Sequence, residues 1–132
     1  MKDMKNRFST KQSLNPAGNR GNGAQNGAGV DLTGYEGARV DFSVGTITDG
    51  THTPKLQESS DSTNGTDGTW TDVAAADQEG TLANLAASTP QSVGYKGSKR
   101  WVRAVVTGAG ATTGAMYAAN VIRGFARHNP AA

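Results

Sequence analysis

The chain has 132 residues, 18 of them glycine and none cysteine, which allows one domain and excludes a disulfide scaffold or a cysteine-ligated metal centre. Hydrophobic residues make up 35% and charged residues 18%, both thin for a globular domain. No apolar run approaches the roughly 20 residues of a membrane helix, and glycine at this frequency disfavours long helices. The opening MKDMKNRFSTKQ puts no apolar segment behind its charges, so no secretory signal is expected and an intracellular setting is.

The net charge of +2 conceals a segregation: residues 1–29 carry five cations against one acid, 30–90 carry two against ten, and 91–132 carry six against none. Pairing of the basic end with the acidic middle across a sheet is the simpler expectation. A dipolar surface that docks on a charged partner is the alternative.

Residues 1–29 contain NPAGNRGNGAQNGAG, with little to bury, and are expected to form a flexible or extended arm anchored by Phe8 and Leu14. The folded part is expected over 30–128, with 129–132 a tail. Val40, Phe42 and Val44 alternate with Arg39, Asp41 and Ser43, the period of a half-buried strand. Thr48-Asp49-Gly50-Thr51 then predicts a hairpin turn, and Pro54 to Glu58 a short strand with Pro54 at its start or at a sheet edge. SSDSTNGTDGT at 59–69 reads as a polar loop, with Trp70 and Val73 beyond it. Residues 74–87 read as loop with a turn or short strand near Leu82 and Leu85.

Val93 to Gly97 leads into Lys99 to Val106, where Trp101, Arg103 and Val105 share one face and Val102, Ala104 and Val106 the other. Apolar residues on both faces mark a central strand. Gly108 to Ala111 is a turn, and Met116 to Phe125 is expected as a strand pairing back on the previous one, ended by Pro130. Six to eight short strands at this spacing suit an all-β sandwich or barrel.

Little of this resembles catalytic machinery. His52 lies in a turn and His128 near the end, neither within a nucleophile pattern. Asp61, Asn64 and Asp67 suggest calcium, but Thr63 and Gly65 occupy positions that need oxygen ligands and the distal glutamate is missing; turns stabilised by Asx side chains explain the same letters. Asn64-Gly65-Thr66 is formally a glycosylation sequon, without weight when no secretion signal is seen. Arg100 and Arg103 around Trp101 could stack on nucleic acid, but on a central strand they are expected to pair with Asp41, Asp49 or Asp72.

Phe42 to Gly45, Thr48 to Thr51, Lys55 to Ser59 with Asp61, Trp70, Val93 to Gly97 and Lys99 to Arg103 together resemble small head proteins of tailed bacteriophages, over about residues 30–127. The resemblance is to the cement, or decoration, class, which binds the outside of a capsid built from the HK97-type major capsid protein. It implies a jelly-roll β-sandwich, a homo-oligomer (dimer or trimer) at a symmetry axis, and a clamp on neighbouring capsomers. It implies the major capsid protein as partner, a place on the capsid exterior after assembly in the host cytoplasm, and no catalysis, cofactor, metal, membrane or direct nucleic-acid contact. Candidate capsid or self-contacts are Phe8, Leu14 and Arg20 in the arm with Pro54 and Lys55; candidate core anchors are Phe42, Trp70, Tyr95, Trp101 and Val105. The second reading is a sandwich that binds carbohydrate or a host surface, with Trp70, Tyr95, Trp101 and Tyr117 as stacking rings.

Overall fold

The computed structural model describes residues 3–128; the expected tail at 129–132 and Pro130 lie outside them. Ten strands follow in chain order: β1 (Ser9–Leu14), β2 (Gly23–Asn26), β3 (Val30–Asp31), β4 (Tyr35–Ile47), β5 (Thr51–Ser59), β6 (Thr71–Asp72), β7 (Gln78–Glu79), β8 (Gln91–Tyr95), β9 (Trp101–Ala109) and β10 (Ala115–Ala126). A single 3-10 turn spans Ala75–Asp77. One sheet has the order β1-β10-β4-β8-β7, the other β2-β9-β5-β6 with β3 also on β9, and every pair is antiparallel. The last strand thus lies between the first and the fourth, and β9 between β2 and β5. This is the two-sheet jelly roll.

The alternation read in the sequence places the core. Val40 and Phe42 of β4 and Ala119 and Val121 of β10 face Leu56 of β5 and Val102, Ala104 and Val106 of β9, each completely shielded from solvent. Burying such a side chain stabilises by about 1.5–3 kcal/mol for the larger ones. A hydrogen bond also crosses the sandwich: the buried Tyr95 hydroxyl donates to the Glu58 carboxylate at 2.5 Å.

The first correction concerns residues 1–29. Residues 9–14 and 23–26 are strands of the two sheets rather than an arm. Leu14 is 2% exposed and belongs to the core. Ser13 ties the sheets together: its hydroxyl donates to the Ala28 carbonyl at 2.8 Å and accepts the Ala104 N–H at 3.0 Å, while its carbonyl accepts the Ala28 N–H. A Cβ at Gly27 would collide with that hydroxyl, so glycine there admits the serine. The polar composition hid these strands because they are held by main-chain ladders and one serine, with Leu14 as the chief apolar contribution.

The second correction concerns the turns. Asp49-Gly50 does turn the chain, with Gly50 at φ +85°, but β4 and β5 fall in opposite sheets. Likewise β10 does not pair with β9; it crosses to β4 and β1. The two arches are fastened to each other: the Asp49 carboxylate accepts the N–H groups of Thr112, Thr113 and Gly114 at 2.7–3.1 Å. Asn22, in the β1–β2 connection, joins them by exchanging two hydrogen bonds with the backbone of Ala111. A two-faced apolar strand such as β9 needs a layer opposite it, and an arch supplies that layer where a hairpin would not.

Charge pairing follows the simpler expectation. Arg100–Asp31, Lys96–Glu79 and Arg127–Glu36 join the basic end to the acidic middle, beside Arg39–Asp41 and Lys55–Asp72. The partners differ from those expected for two arginines: Arg100 takes Asp31, and Arg103 donates twice to Gln57. Asp41, Asp49 and Asp72 are engaged elsewhere. Such exposed pairs contribute about 0–1 kcal/mol each.

Candidate docking face

The expected contact residues scatter. Leu14 is core and Pro54 is buried on the inner side of β5. The edge expected at Pro54 exists, since β6 pairs only with Gln57 and Glu58, but hydrogen bonds from the 84–85 segment close it: the Thr53 hydroxyl donates to Asn84, and the Leu85 N–H to the His52 carbonyl. Lys55 pairs with Asp72. Arg20 is half-buried, donating to Asn15 and lying 5.4 Å from the Tyr117 ring centre. Of the five, Phe8 alone stands on an open face.

Among the core anchors, Phe42 and Tyr95 sit between the sheets, whereas Trp101 and Val105 are buried on the outer side of β9, outside the inter-sheet cluster. Trp70 is half-buried beside them, the Arg103 guanidinium 4.4 Å from its ring centre. Its indole N–H donates to the Asp67 carbonyl. The stacking rings of the carbohydrate reading are therefore not presented: Tyr95, Trp101 and Tyr117 are buried and Trp70 carries Arg103.

The 59–69 loop satisfies its own carboxylates. Asp61 accepts from the Ser59 hydroxyl and the Thr69 N–H; Asp67 accepts from Ser62, from Thr63 and from the Asn64 N–H. These donors, chiefly Thr63, hold the Asp67 carboxyl well below the ordinary range. Among the described residues no cluster of three or more His, Asp or Glu is placed to hold a metal ion, and no helix is long and apolar enough to cross a membrane. His52 is 1% exposed rather than set in an open turn, its Nε2 3.0 Å from the Asp49 carbonyl. His128 is exposed.

The open face is the outer side of the first sheet. There β10 presents Ala118, Asn120, Ile122 and Gly124, opposite Ser43, Asp41, Arg39 and Gly37 of β4. A groove of about 910 Å³ runs across this side. Gly37 and Gly124 form its floor; Met4, Phe8, Ile122 and Phe125 line it. Phe8 and Phe125 meet edge to face, ring centres 6.4 Å apart, an arrangement favourable for aromatic pairs. The glycines let these rings lie close to the sheet: a Cβ at Gly124 would stand 2.8 Å from Phe8, and one at Gly37 3.2 Å from Phe125.

Phe125 breaks the strand rule. Odd-numbered residues of β10 from Ala115 to Arg123 point inward and are buried. Phe125 would follow them, but its φ of +54° turns it out, leaving it 72% exposed. A bulky residue in the left-handed region is strained by about 1–3 kcal/mol. With Met4 at 70%, it makes an exposed apolar patch of the kind that marks interaction sites. Composition gave no sign of this patch; the one available signal was a phenylalanine at the end of a strand in a chain with three.

Comparison with protein-family models, with curated proteins and with solved structures finds no match.

Proposed function

We propose that the chain is a structural virion protein of the cement class. It binds the outer surface of a tailed-phage shell built from an HK97-type capsid protein and stabilises contacts between capsomers, as a homo-oligomer on the capsid exterior. The observation that carries this reading is the Phe8–Phe125 pair: two aromatic rings held over a glycine floor on the outer face of a jelly roll, one turned out of the core at a conformational cost. Strain retained at an exposed ring is consistent with a contact made outside the chain. The resemblance of residues 30–127 to head-decoration proteins supplies the kind of partner. A clamp of this sort acts in many copies, so modest contacts multiply by avidity.

The test is re-binding. Purified chain added to expanded shells that lack it is expected to co-sediment saturably and to raise the temperature at which the shells come apart. Shells that take up none at saturating concentration would overturn the proposal.

A further inference from the structure

We propose that the Phe8–Phe125 groove and the neighbouring edge of β1 form one docking surface for an extended, acid-rich segment of a partner protein that carries apolar side chains at alternate positions. This rests on the reading above for the partner, a shell protein, and adds which chemistry of that partner is held.

Charge is the first argument. Of the carboxylates near the groove, Glu36 pairs with Arg127, Glu79 with Lys96 and Asp41 with Arg39, while Asp3 accepts two hydrogen bonds from Asn6. Lys5, which lines the groove, and Lys11, exposed on β1, have no carboxylate partner among the described residues. The surface therefore offers apolar contact and two uncompensated cations, complementary to apolar side chains flanked by carboxylates.

The backbone is the second. β1 is the end strand of its sheet, with β10 on one side. Its first four residues are half to fully exposed, and alternate residues of an edge strand turn N–H and C=O groups outward. A segment added there continues the ladder. Its side chains then alternate between the outer face, level with Thr10 and Gln12 beside the groove, and the opposite side, level with Lys11.

A second copy of the chain fits less well. Pairing β1 antiparallel with a second β1 about its centre would bring the two Lys11 ammoniums together, and like charges across a strand pair are destabilising. Lysine on an edge strand is a common guard against such self-pairing. A polyanion such as nucleic acid would satisfy the lysines but leave the Phe125 ring uncovered.

The probe is a synthetic heptapeptide alternating glutamate with phenylalanine and isoleucine, titrated into the full-length ¹⁵N-labelled chain. Amide shifts are expected within Ser9–Gln12 and residues 122–125. Binding is expected to weaken at least ten-fold for Phe125→Ser and for Lys11→Glu, and to weaken with added salt. The Lys11 variant changes an exposed side chain and keeps the test valid if the Phe125 variant folds poorly. Equal binding of the peptide with lysine in place of glutamate, shifts elsewhere, or none at millimolar peptide overturns the proposal. Concentration-dependent broadening without peptide, relieved by Phe125→Ser, makes a second copy the occupant and also overturns it. Shells separate the two readings. If they bind both variants as they bind the wild type, the docking surface falls and the cement reading stands; if they bind no wild type while the peptide data hold, the reverse follows.

Discussion

Single side chains here carry connections that composition understates. Ser13 is a small polar residue at the end of an otherwise exposed polar run, yet its hydroxyl accepts the Ala104 N–H of the opposite sheet. Ser13→Ala leaves that buried donor without its partner, and is expected to cost about 1–3 kcal/mol, read from urea unfolding; a neutral result would mean that water takes the place of the hydroxyl. Asp49 has a comparable role between the arches. The N–H groups of Gly114, then Thr113 and Thr112, hold its carboxyl below the ordinary range; the Arg100 guanidinium does the same for Asp31. A carboxyl depressed in the folded state contributes stability that is present above its unfolded pKa, near about 4, and lost as pH falls through the folded value. The melting temperature is therefore expected to hold steady down to roughly pH 5 and to fall below about pH 4. Asp49→Asn should melt lower at neutral pH and lose part of that acid sensitivity. An unchanged acid limb would place the linkage elsewhere.

Strands were legible in the sequence where one face is apolar. The inner sides of β4 and β9 follow Val40–Phe42 and Val102–Val106, and β10 follows Met116–Phe125 with its bounds nearly as read. Where a strand owes its place to main-chain pairing, periodicity gave no signal: β1 reads STKQSL and β2 reads GAQN. The turn residues were also legible, but not what they join, because Asp49-Gly50 serves an arch between sheets as readily as a hairpin within one. The docking face was hidden for a related reason: its exposed ring depends on the left-handed φ of Phe125, which the letters do not announce. The arm reading implied that residues 1–28 could be removed without loss. The structure implies the reverse, since the deletion strips β10 of one partner, β9 of another and the core of Leu14. The shortened chain is expected to lose its cooperative melting transition, monitored by circular dichroism. A native-like spectrum and transition would mean that the remaining strands close without them.

Over the whole molecule, the two basic regions of the sequence have different fates. The cations at 96, 100 and 127 meet acids of the middle segment, so half of the basic charge at the end of the sequence is matched on the surface. Among the charges outside these ion pairs, Lys5 lines the groove beside the exposed aromatic rings and Lys11 stands on the neighbouring strand edge. The fold also joins distant segments throughout: β1 registers with β10 from Ser9–Arg123 to Leu14–Ala119, and β2 with β9. Topologies of this kind fold slowly, in about milliseconds to seconds. Stopped-flow refolding by tryptophan fluorescence is expected to show its main phase there; a microsecond phase carrying the full amplitude would contradict the pairing described.

That same registry sets a schedule for the newborn chain. β1 is completed only by β10, about 100 residues further along the chain. At about 5–20 residues per second of synthesis, β1 waits roughly 5–20 s for β10 to be made, and longer for it to clear the ribosome. Until then β1 waits for β10 and β2 for β9, and their polar makeup, STKQSL and GAQN, disfavours aggregation. An early strand built from valine and isoleucine would serve the finished sheet as well but would expose an aggregation-prone edge while it waited. The thin apolar content of residues 1–29 thus suits a strand that must remain idle before it is used.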